Sequence, residues 1–531
     1  MDFLNDALGG FDVVLQPANL LFCLLGVTLG MLIGVLPGLG PAATIAILLP
    51  ITYTMEPASA IILLAGIFYG AQYGGTITSV LLRLPGEASS VVTALDGYQM
   101  ARQGRAGAAL GIAAVGSFIG GTIAIVGLTF LAPLVASFAL DFGPAEYSLL
   151  ALLGILLVSS LGNGSARKAA VAATIGLLLA TVGRDPVTAV GRFSFGSDNL
   201  ADGIDFVIIA MGLFGVGEIL YNMATPPSPS GGTPRFKRAL PTGADLKQSS
   251  GAIARGSVSG FFLGILPGGG ATVASLVAYA TEKKLAKKPQ RFGRGAIEGV
   301  AGPETANNAA ATSSFIPLLT LGIPANGTMA IMFGALMLQG ITPGPSLINE
   351  HPDVFWGVID SMYIGNIFLL LLSIPLIGIF VRLLSVKATI LNPITVLITM
   401  IGVYTVRNSV FDMFLVIVFG VIGYLMKKTG YPPGPLVLAF VLGGLLETSF
   451  RQSMRLSDGS LAIFVASPIA ITLTIAIVLA IVAAPAMAWA LRRQQAKTAA
   501  TLNVRPQAPE PAPESTGEQN PAQVPEPVRQ D

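Results

Sequence analysis

The chain has 531 residues, of which 53% are hydrophobic and 11% are charged, and its formal net charge is +2. Soluble globular proteins carry about 25% charged residues, so this composition and the mean hydropathy of +0.74 exclude an ordinary soluble domain. No basic face with interleaved aromatic residues is evident, which excludes a nucleic-acid partner. A single cysteine and a single histidine exclude an intrachain disulfide and a metal cluster built from these residues.

The first 16 residues contain three aspartates and no basic residue, so they lack the positively charged start of a cleavable signal peptide. We expect them to form an interfacial amphipathic segment of the mature protein. Apolar runs longer than the roughly 20 residues that cross a bilayer then recur along the chain. The fold class predicted is an all-α polytopic membrane protein with about 11–12 transmembrane helices plus broken or re-entrant helices.

Basic residues in short loops mark the cytoplasmic side. The loop at 50–57 has none and is predicted outside, whereas the loop at 97–107 contains Arg102 and Arg105 and is predicted inside. Further spans are predicted at 108–134, 145–161, 169–182 and 204–223. The linker at 224–250, with four basic residues, is therefore predicted inside.

The second half has the opposite distribution of charge. The loop at 283–294 has six basic residues and the loop at 339–353 has none, the reverse of their counterparts. This reversal predicts two inverted-topology repeats, with a substrate site between them. It also predicts that residues 19–50 and 252–282 are re-entrant hairpins entering from opposite faces. The alternative is that such a run is one long tilted helix, which would reverse the side assigned to every later loop.

The remaining spans are predicted at 354–381, 388–406, 410–426, 435–446 and 461–491, which puts the C-terminus inside. The complete organisation predicted is an N-terminal segment (1–16), membrane repeat 1 (17–223), a cytoplasmic linker (224–250), membrane repeat 2 (251–491) and a disordered proline-rich cytoplasmic tail (492–531).

Two glycine-proline stretches repeat with a constant offset. Residues 30–40 and 260–270 agree at six of eleven positions, and both contain Gly-x-Leu-Pro-Gly-x-Gly. Proline removes an amide donor and glycine loosens the backbone, so each copy breaks a helix. Such a break at membrane depth is tolerated only where it is buried in protein or lines a wet cavity.

Two further breaks follow the glycine-proline stretches at similar distances, at 73–89 and 302–327, with Pro85 and Pro324 as repeat partners. A half-helix N-terminus favours an anion, and freed carbonyls suit Na⁺. We therefore predict substrate or ion binding, with no catalytic residues, at Gly38, Leu39, Gly40, Tyr73, Gly74, Gly75, Thr76, Arg83, Gly268, Gly269, Gly270, Glu304, Asn307 and Asn308. Na⁺ is predicted at backbone carbonyls near Gly38 and Gly268.

Ionisable groups in membrane segments cost about 2.5–3.5 kcal/mol on insertion scales and are functional candidates by default. Arg83 could hold a substrate carboxylate in a bidentate fork, or it could pair with Glu87, one helical turn away, or extend to the interface. Asn307 and Asn308 could contact a ligand or form hydrogen bonds between helices.

Other polar and small residues are expected to have structural roles. Three acids near span ends are expected to face water: Asp360, Asp412 and Glu447. Three glycines of one predicted span are expected to be packing contacts: Gly116, Gly120 and Gly121.

Four stretches of the chain together resemble the large membrane subunit of the tripartite tricarboxylate transporters, the TctA family. They are GVLPGLGPAATIAILLP (34–50), the run at 73–111 that begins YGGTITSVLLRLPGEASS, GILPGGGATVASLVAYATEKKLAKKPQ (264–290) and RFGRGAIEGVAGPETANNAAATSSFIPLLTLGIP (291–324). The resemblance covers about residues 15–490. It adds no residue-level site, so the binding residues above are inferred from the breaks.

This resemblance implies a multi-pass permease of the bacterial inner membrane that takes up carboxylates with a cation gradient. The partners implied are a small four-helix membrane subunit and a periplasmic solute-binding protein. No cofactor is expected, and the coupling ion is Na⁺ or, as the alternative, H⁺.

Two alternatives are a stand-alone carboxylate symporter or exporter and an intramembrane enzyme. The enzyme is disfavoured because the sequence offers no HExxH motif and no nucleophile-base set. An ATP-driven pump is excluded because GxxxxGK[ST] is absent.

Overall fold

The computed structural model describes residues 2–36, 40–83, 86–161, 165–185, 188–224, 240–268, 270–373, 375 and 388–482. The described residues up to 481 belong to one compact unit. The predicted tail at 492–531 and most of the predicted linker at 224–250 lie outside the described residues.

The first half of the compact unit is almost entirely helical. Its α-helices are α1 (Asp2–Val14), α2 (Pro17–Val35), α3 (Pro41–Thr52), α4 (Pro57–Leu82), α5 (Thr93–Arg102), α6 (Ala106–Ala139), α7 (Pro144–Leu161), α8 (Ala166–Ala180), α9 (Phe206–Ala210) and α10 (Gly217–Ala224). A 3₁₀ turn (Ala88–Ser90) precedes α5, and a π-helical stretch (Met211–Val216) joins α9 to α10. Two short antiparallel strands, β1 (Gly183–Arg184) and β2 (Gly191–Arg192), form a hairpin after α8.

The second half contains α11 (Gly243–Ile265), α12 (Gly270–Leu285), α13 (Glu298–Ser313), α14 (Phe315–Leu321), α15 (Gly327–Leu338), α16 (Leu347–Glu350), α17 (Pro352–Ser373), α18 (Ala388–Arg407), α19 (Val410–Thr429), α20 (Pro433–Leu456) and α21 (Pro468–Val482).

Within the described residues, seven helices are long and apolar enough to cross a membrane: α2, α4, α6, the α9–α10 stretch, α17, α19 and α20. Five more apolar helices are shorter, at 10–17 residues. An all-α polytopic membrane protein is thereby confirmed. Some predicted spans coincide with helices of this shorter group: the span at 145–161 with α7 and the span at 461–491 with α21.

Two glycine ladders hold the central helices at very short separation. A Cβ built on any of these glycines of α2 or α11 would collide with a backbone carbonyl oxygen of the facing helix, so only glycine fits. The pairs are Gly26 with Leu63, Gly30 with Ile67, Gly34 with Ala71, Gly256 with Gly302, Gly260 with Ala306, and Gly264 with Ala310. The offset between the two ladders is that of the glycine-proline repeat.

The expected packing role of the α6 glycines agrees with their surroundings. A Cβ on Gly116 or Gly120 would collide with Thr305 of α13, and one on Gly121 would contact the amide of Asn366 on α17. These glycines therefore let α6 approach two central helices closely.

The N-terminal segment forms α1, which packs on α17. The rings of Phe11 and Tyr363 lie 6.1 Å apart, and Gly10 lies directly over the Asp360 carboxylate and the Trp356 backbone. Gly10 thus admits a close contact that a larger residue would block.

The prediction that three acids face water is wrong. Asp360 is only 1% exposed, because α1 covers it, and Asp412 is 5% exposed. Glu447 is half-buried and accepts two hydrogen bonds from the guanidinium of Arg192, at 2.7 and 3.2 Å. Position near a span end did not reveal the contacts of Asp360 and Glu447, because α1 and Arg192 are distant from them in the sequence.

Candidate functional site

The four chain breaks meet around one cavity of about 560 Å³. Each break contributes wall residues: 40–43, 86–89, Gly268 with 270–273, and 326–328. The rest of the wall is formed by Phe68, Gln72, Val91, Val158, Phe214, Glu218, Lys427, Pro432, Gly434 and Pro435. The convergence brings together segments that lie far apart in the sequence.

Four helices begin at this wall. Pro41 and Pro433 stand in the first turns of α3 and α20, where the missing proline amide costs nothing. Asn326 caps α15, because its side-chain oxygen accepts a hydrogen bond from the Met329 amide at 3.0 Å. The fourth helix, α12, starts at Gly270, whose φ is +52°. Four positive helix ends therefore face one cavity, an arrangement that favours an anion.

Three charged residues line the described part of the wall: Glu87, Glu218 and Lys427. The Lys427 ammonium pairs with the Glu218 carboxylate and lies 4.7 Å from the ring centroid of Tyr221. An ammonium group in the last turn of α19 thus reaches the same cavity as the helix N-termini.

Glu87 is joined to two neighbouring side chains. Gln72 Nε2 donates to Glu87 Oε2 at 3.3 Å, and Ser89 Oγ donates to Gln72 Oε1 at 3.0 Å. Ser89 Oγ also contacts Glu87 Oε1 directly. Gly75 leaves room for this triad, since a Cβ there would lie 3.1 Å from Glu87 Cγ.

A second polar cluster lies behind the wall, centred on the fully buried Glu304. The carboxylate accepts hydrogen bonds from Thr76 Oγ1 at 2.6 Å, from the Thr93 hydroxyl and from Asn307 Nδ2 at 3.2 Å. Asn308 Nδ2 donates to Ser117 Oγ at 2.7 Å. The cluster therefore links α13 to α4, α5 and α6.

The predicted site residues fall into several groups. Gly40, Gly268 and Gly270 line the cavity. Glu304, Asn307 and Asn308 belong to the cluster behind it, together with Thr76. Gly38, Leu39 and Gly269 lie outside the described residues, as does the Na⁺ position near Gly38. Ligand binding by any of these residues stays a prediction.

Tyr73, Gly74 and Arg83 lie apart from the wall. The Tyr73 hydroxyl donates to Asn366 Oδ1 at 3.2 Å, and Gly74 packs against α2. Arg83 is exposed at the C-terminal cap of α4, and the helix ends before Glu87. The two residues therefore do not share a helical turn, and the basis for pairing them disappears.

Several wall residues are not among the predicted site residues. Lys427 directly follows the predicted span at 410–426 and is therefore expected in a loop, and Gln72 and Ser89 carry no separate prediction. Glu218 lies within the predicted span at 204–223 and carries the same signal that identified Glu304, namely an ionisable group in a predicted membrane segment.

Metal coordination by side chains has no candidate in the described part of the chain, where no group of three His, Cys, Asp or Glu could hold an ion. The groups that the described wall offers to an anion are the N-terminal ends of four helices and the Lys427 ammonium.

A family model and two proteins of known sequence are similar to this chain. The sequence profile described as "Tripartite tricarboxylate transporter TctA family" matches residues 20–438. Two similar proteins come from Agrobacterium vitis. The first, an uncharacterized 52.8 kDa protein in the TAR-I ttuC′ 3′ region, is 51% identical over 473 residues, which is 89% of this chain and 94% of that protein.

The second, an uncharacterized protein in the TAR-II ttuC′ 3′ region, is 53% identical over 214 residues, which is 40% of this chain and 88% of that protein. No solved structure matches the chain.

Proposed function

The chain belongs to the tripartite tricarboxylate transporter TctA family, and from this premise we propose that it is the large permease subunit of a binding-protein-dependent secondary transporter. The proposed substrates are tricarboxylates or related carboxylates, taken up across the bacterial inner membrane. The proposed partners are a small four-helix membrane subunit and a periplasmic solute-binding protein.

The observation that carries this proposal is the cavity at which α3, α12, α15 and α20 all begin. Multiply charged carboxylates need several positive groups without a large desolvation cost. Helix ends meet this need because their partial charges are fixed and already partly dehydrated. Lys427 supplies one full charge, which a substrate carboxylate would share with Glu218.

Alternating access is the proposed mechanism. The two glycine ladders and the paired breaks support two structurally related repeats, and the loop charges support opposite orientations for them. Rocking of one repeat against the other would expose the cavity to each side in turn. Net uptake then requires a cation gradient, with Na⁺ or H⁺ as the coupling ion, and differential affinity between the two states.

Uptake of radiolabelled carboxylates by membrane vesicles tests the proposal. Vesicles should come from cells that express the chain with its neighbouring genes, and imposed Na⁺ and pH gradients should be compared with no gradient. We expect gradient-dependent accumulation that also requires the binding protein. Uptake that depends on ATP and ignores both gradients would refute secondary transport, and uptake without any partner would favour a stand-alone symporter.

A further inference from the structure

The hydrogen bonds around Glu87 cannot all form if its side chain is a carboxylate. The Ser89 hydroxyl carries one hydrogen, yet its oxygen contacts both Gln72 Oε1 and Glu87 Oε1. One hydrogen serves one of these acceptors, so the other contact needs a hydrogen from elsewhere. A proton on Glu87 Oε1 supplies the missing hydrogen, so that all three contacts among Gln72, Glu87 and Ser89 are hydrogen bonds.

The other orientation of the Gln72 amide leads to the same result. If its oxygen and nitrogen are exchanged, Gln72 donates to Ser89 and Ser89 donates to Glu87. The amide oxygen then lies 3.3 Å from Glu87 Oε2, a contact between two acceptors unless Glu87 carries a proton. In each orientation, one proton on Glu87 turns a contact between two acceptors into a hydrogen bond.

The position of Glu87 connects this proton to the anion site. Glu87, Gln72 and Ser89 all line the cavity, and Gln72 and Ser89, which hold Glu87, are each only 2% exposed. Of the other two charged wall residues, Glu218 is paired with Lys427. One turn further along the same face of α4, Thr76 donates a hydrogen bond to Glu304, and this neighbour of the triad is also an acid. An ionised Glu87 would therefore add an uncompensated negative charge to a cavity built for an anion.

We propose that Glu87 is the proton-binding residue of this transporter and that protonation of Glu87 is a condition for anion binding, which makes H⁺ the coupling ion. This inference rests on the proposed function. Glu87 takes a proton from water on the outer side, the carboxylate substrate then binds, and both leave on the inner side. The charge repulsion between substrate and ionised Glu87 is the differential interaction that coupling requires.

Na⁺ fits the triad less well than a proton. Both Glu87 oxygens are already in contact with Gln72 or Ser89 at hydrogen-bond distances. A Na⁺ ion bound to either oxygen would have to displace one of these partners, both of which are buried. A proton completes the same contacts without displacement.

The first experiment measures proton binding without any substrate, so it does not depend on transport. Infrared difference spectra of the purified full-length protein, taken between acidic and alkaline pH, report the C=O stretch of protonated carboxyl groups. We expect a band that is lost in Glu87→Gln and retained in Glu298→Gln, a matched control on the cytoplasmic end of α13. Identical spectra for wild type and Glu87→Gln would overturn the proposal.

The second experiment separates coupling from binding, with radiolabelled citrate as the probe in vesicles. For each proton, a gradient of about one pH unit supports about tenfold accumulation. We expect an acid-outside gradient without Na⁺ to drive accumulation in wild type and Glu298→Gln. Glu87→Gln, which mimics the protonated side chain, should lose this accumulation but retain exchange of internal for external citrate.

The outcomes distinguish failure of the proton inference from failure of the proposed function. Accumulation driven by a Na⁺ gradient at equal pH, or proton-driven accumulation retained in Glu87→Gln, would overturn the proton inference and leave the proposed function standing. Absence of citrate and other carboxylate transport in wild type would instead count against the proposed function, and the infrared measurement would still decide whether Glu87 binds the proton.

Discussion

Arg83 ends α4 in nearly the same left-handed conformation in which Gly322 ends α14. Their φ and ψ angles are 58° and 22° for Arg83, and 67° and 26° for Gly322. The two residues have the same sequence separation as Pro85 and Pro324. Only glycine adopts this conformation without steric cost, so the two breaks use one turn geometry with a strained residue in the first and a relaxed one in the second.

Exchanging residue types at these two turns should have opposite effects on stability. Gly322→Ala should lower the free energy of unfolding by about 1–2 kcal/mol, since the left-handed conformation opposes a Cβ, which would also crowd Pro343. Arg83→Gly should leave it unchanged or raise it by up to about 1 kcal/mol. Thermal unfolding in detergent measures both.

The same Arg83→Gly variant tests the side chain in transport. Because Arg83 is exposed and outside the cavity wall, we expect substrate affinity to change less than about twofold, under about 0.5 kcal/mol. A loss of tenfold or more in a variant of undiminished stability would restore Arg83 to the binding site.

The glycine ladders predict a position-specific sensitivity to one methyl group. Gly260→Ala should destabilise the protein by about 1–3 kcal/mol, because the added Cβ would meet the Ala306 backbone. Gly444→Ala is the matched control, since nothing lies within 4 Å of its added Cβ. In the control, the free energy of unfolding should rise by up to about 1 kcal/mol, because alanine has a higher helix propensity than glycine. Equal melting temperatures for the two variants would argue against close packing of α11 on α13.

Lys427 should contribute directly to anion affinity. Lys427→Met should weaken carboxylate binding about tenfold to a hundredfold, the value of a hydrogen bond to a charged group. Lys428→Met, one residue along, is the control, because Lys428 is exposed and stacks over Tyr424. Equilibrium binding of radiolabelled citrate compares them.

A double variant separates loss of the ammonium from exposure of its partner. Lys427→Met combined with Glu218→Gln removes both charges and leaves no unpaired carboxylate. Affinity as low in the double variant as in Lys427→Met would assign the effect to the ammonium. Recovery to the wild-type value would mean that Lys427 only neutralises Glu218.

The cap of α11 predicts a pH-dependent part of stability outside the membrane spans. Desolvation opposes the charge of Asp245, but hydrogen bonds from Thr242 and the charge of Arg105 outweigh it, so the pKa of Asp245 is lowered. Because Arg105 is 43% exposed, solvent screens its contribution to the lowered pKa of Asp245. A lowered folded-state pKa gives stability that is present above the unfolded-state pKa and lost as pH falls through the folded value.

Asp245→Asn removes that contribution at neutral pH. The stability difference between wild type and Asp245→Asn should therefore be constant above about pH 4 and shrink below it. Thermal unfolding of both proteins across this range measures the difference, so other acid effects cancel. A difference independent of pH would contradict the role assigned to the Asp245 carboxylate.

The sequence was sufficient to predict the class of fold and the positions of the breaks. Composition and apolar runs indicate membrane helices, and proline and glycine mark where helices stop, because both effects are local. Gly40, Gly268 and Gly270 were predicted at the site for this reason, and they line the cavity.

Side-chain partners were much harder to predict, because they depend on packing between distant segments. Asp360 was expected in water, yet α1 covers it from more than 300 residues away. Lys427 and Lys428 together form a basic pair of the kind that is typical of a cytoplasmic loop. Nothing in the neighbouring sequence distinguishes one lysine from the other. The predicted inverted repeats and re-entrant hairpins remain predictions, since they concern position relative to a bilayer.

At the four helix starts, many of the residues that line the cavity are glycine or alanine, which present mainly their peptide groups to a ligand. Peptide groups are common to all sequences, so point mutation can do little to redesign this recognition surface. In the proposed transporter, selection for a new substrate would then act mainly on the partner that delivers the substrate, while the cavity of the permease stays the same. Such a division would let one permease design serve many nutrients with few changes in its own gene.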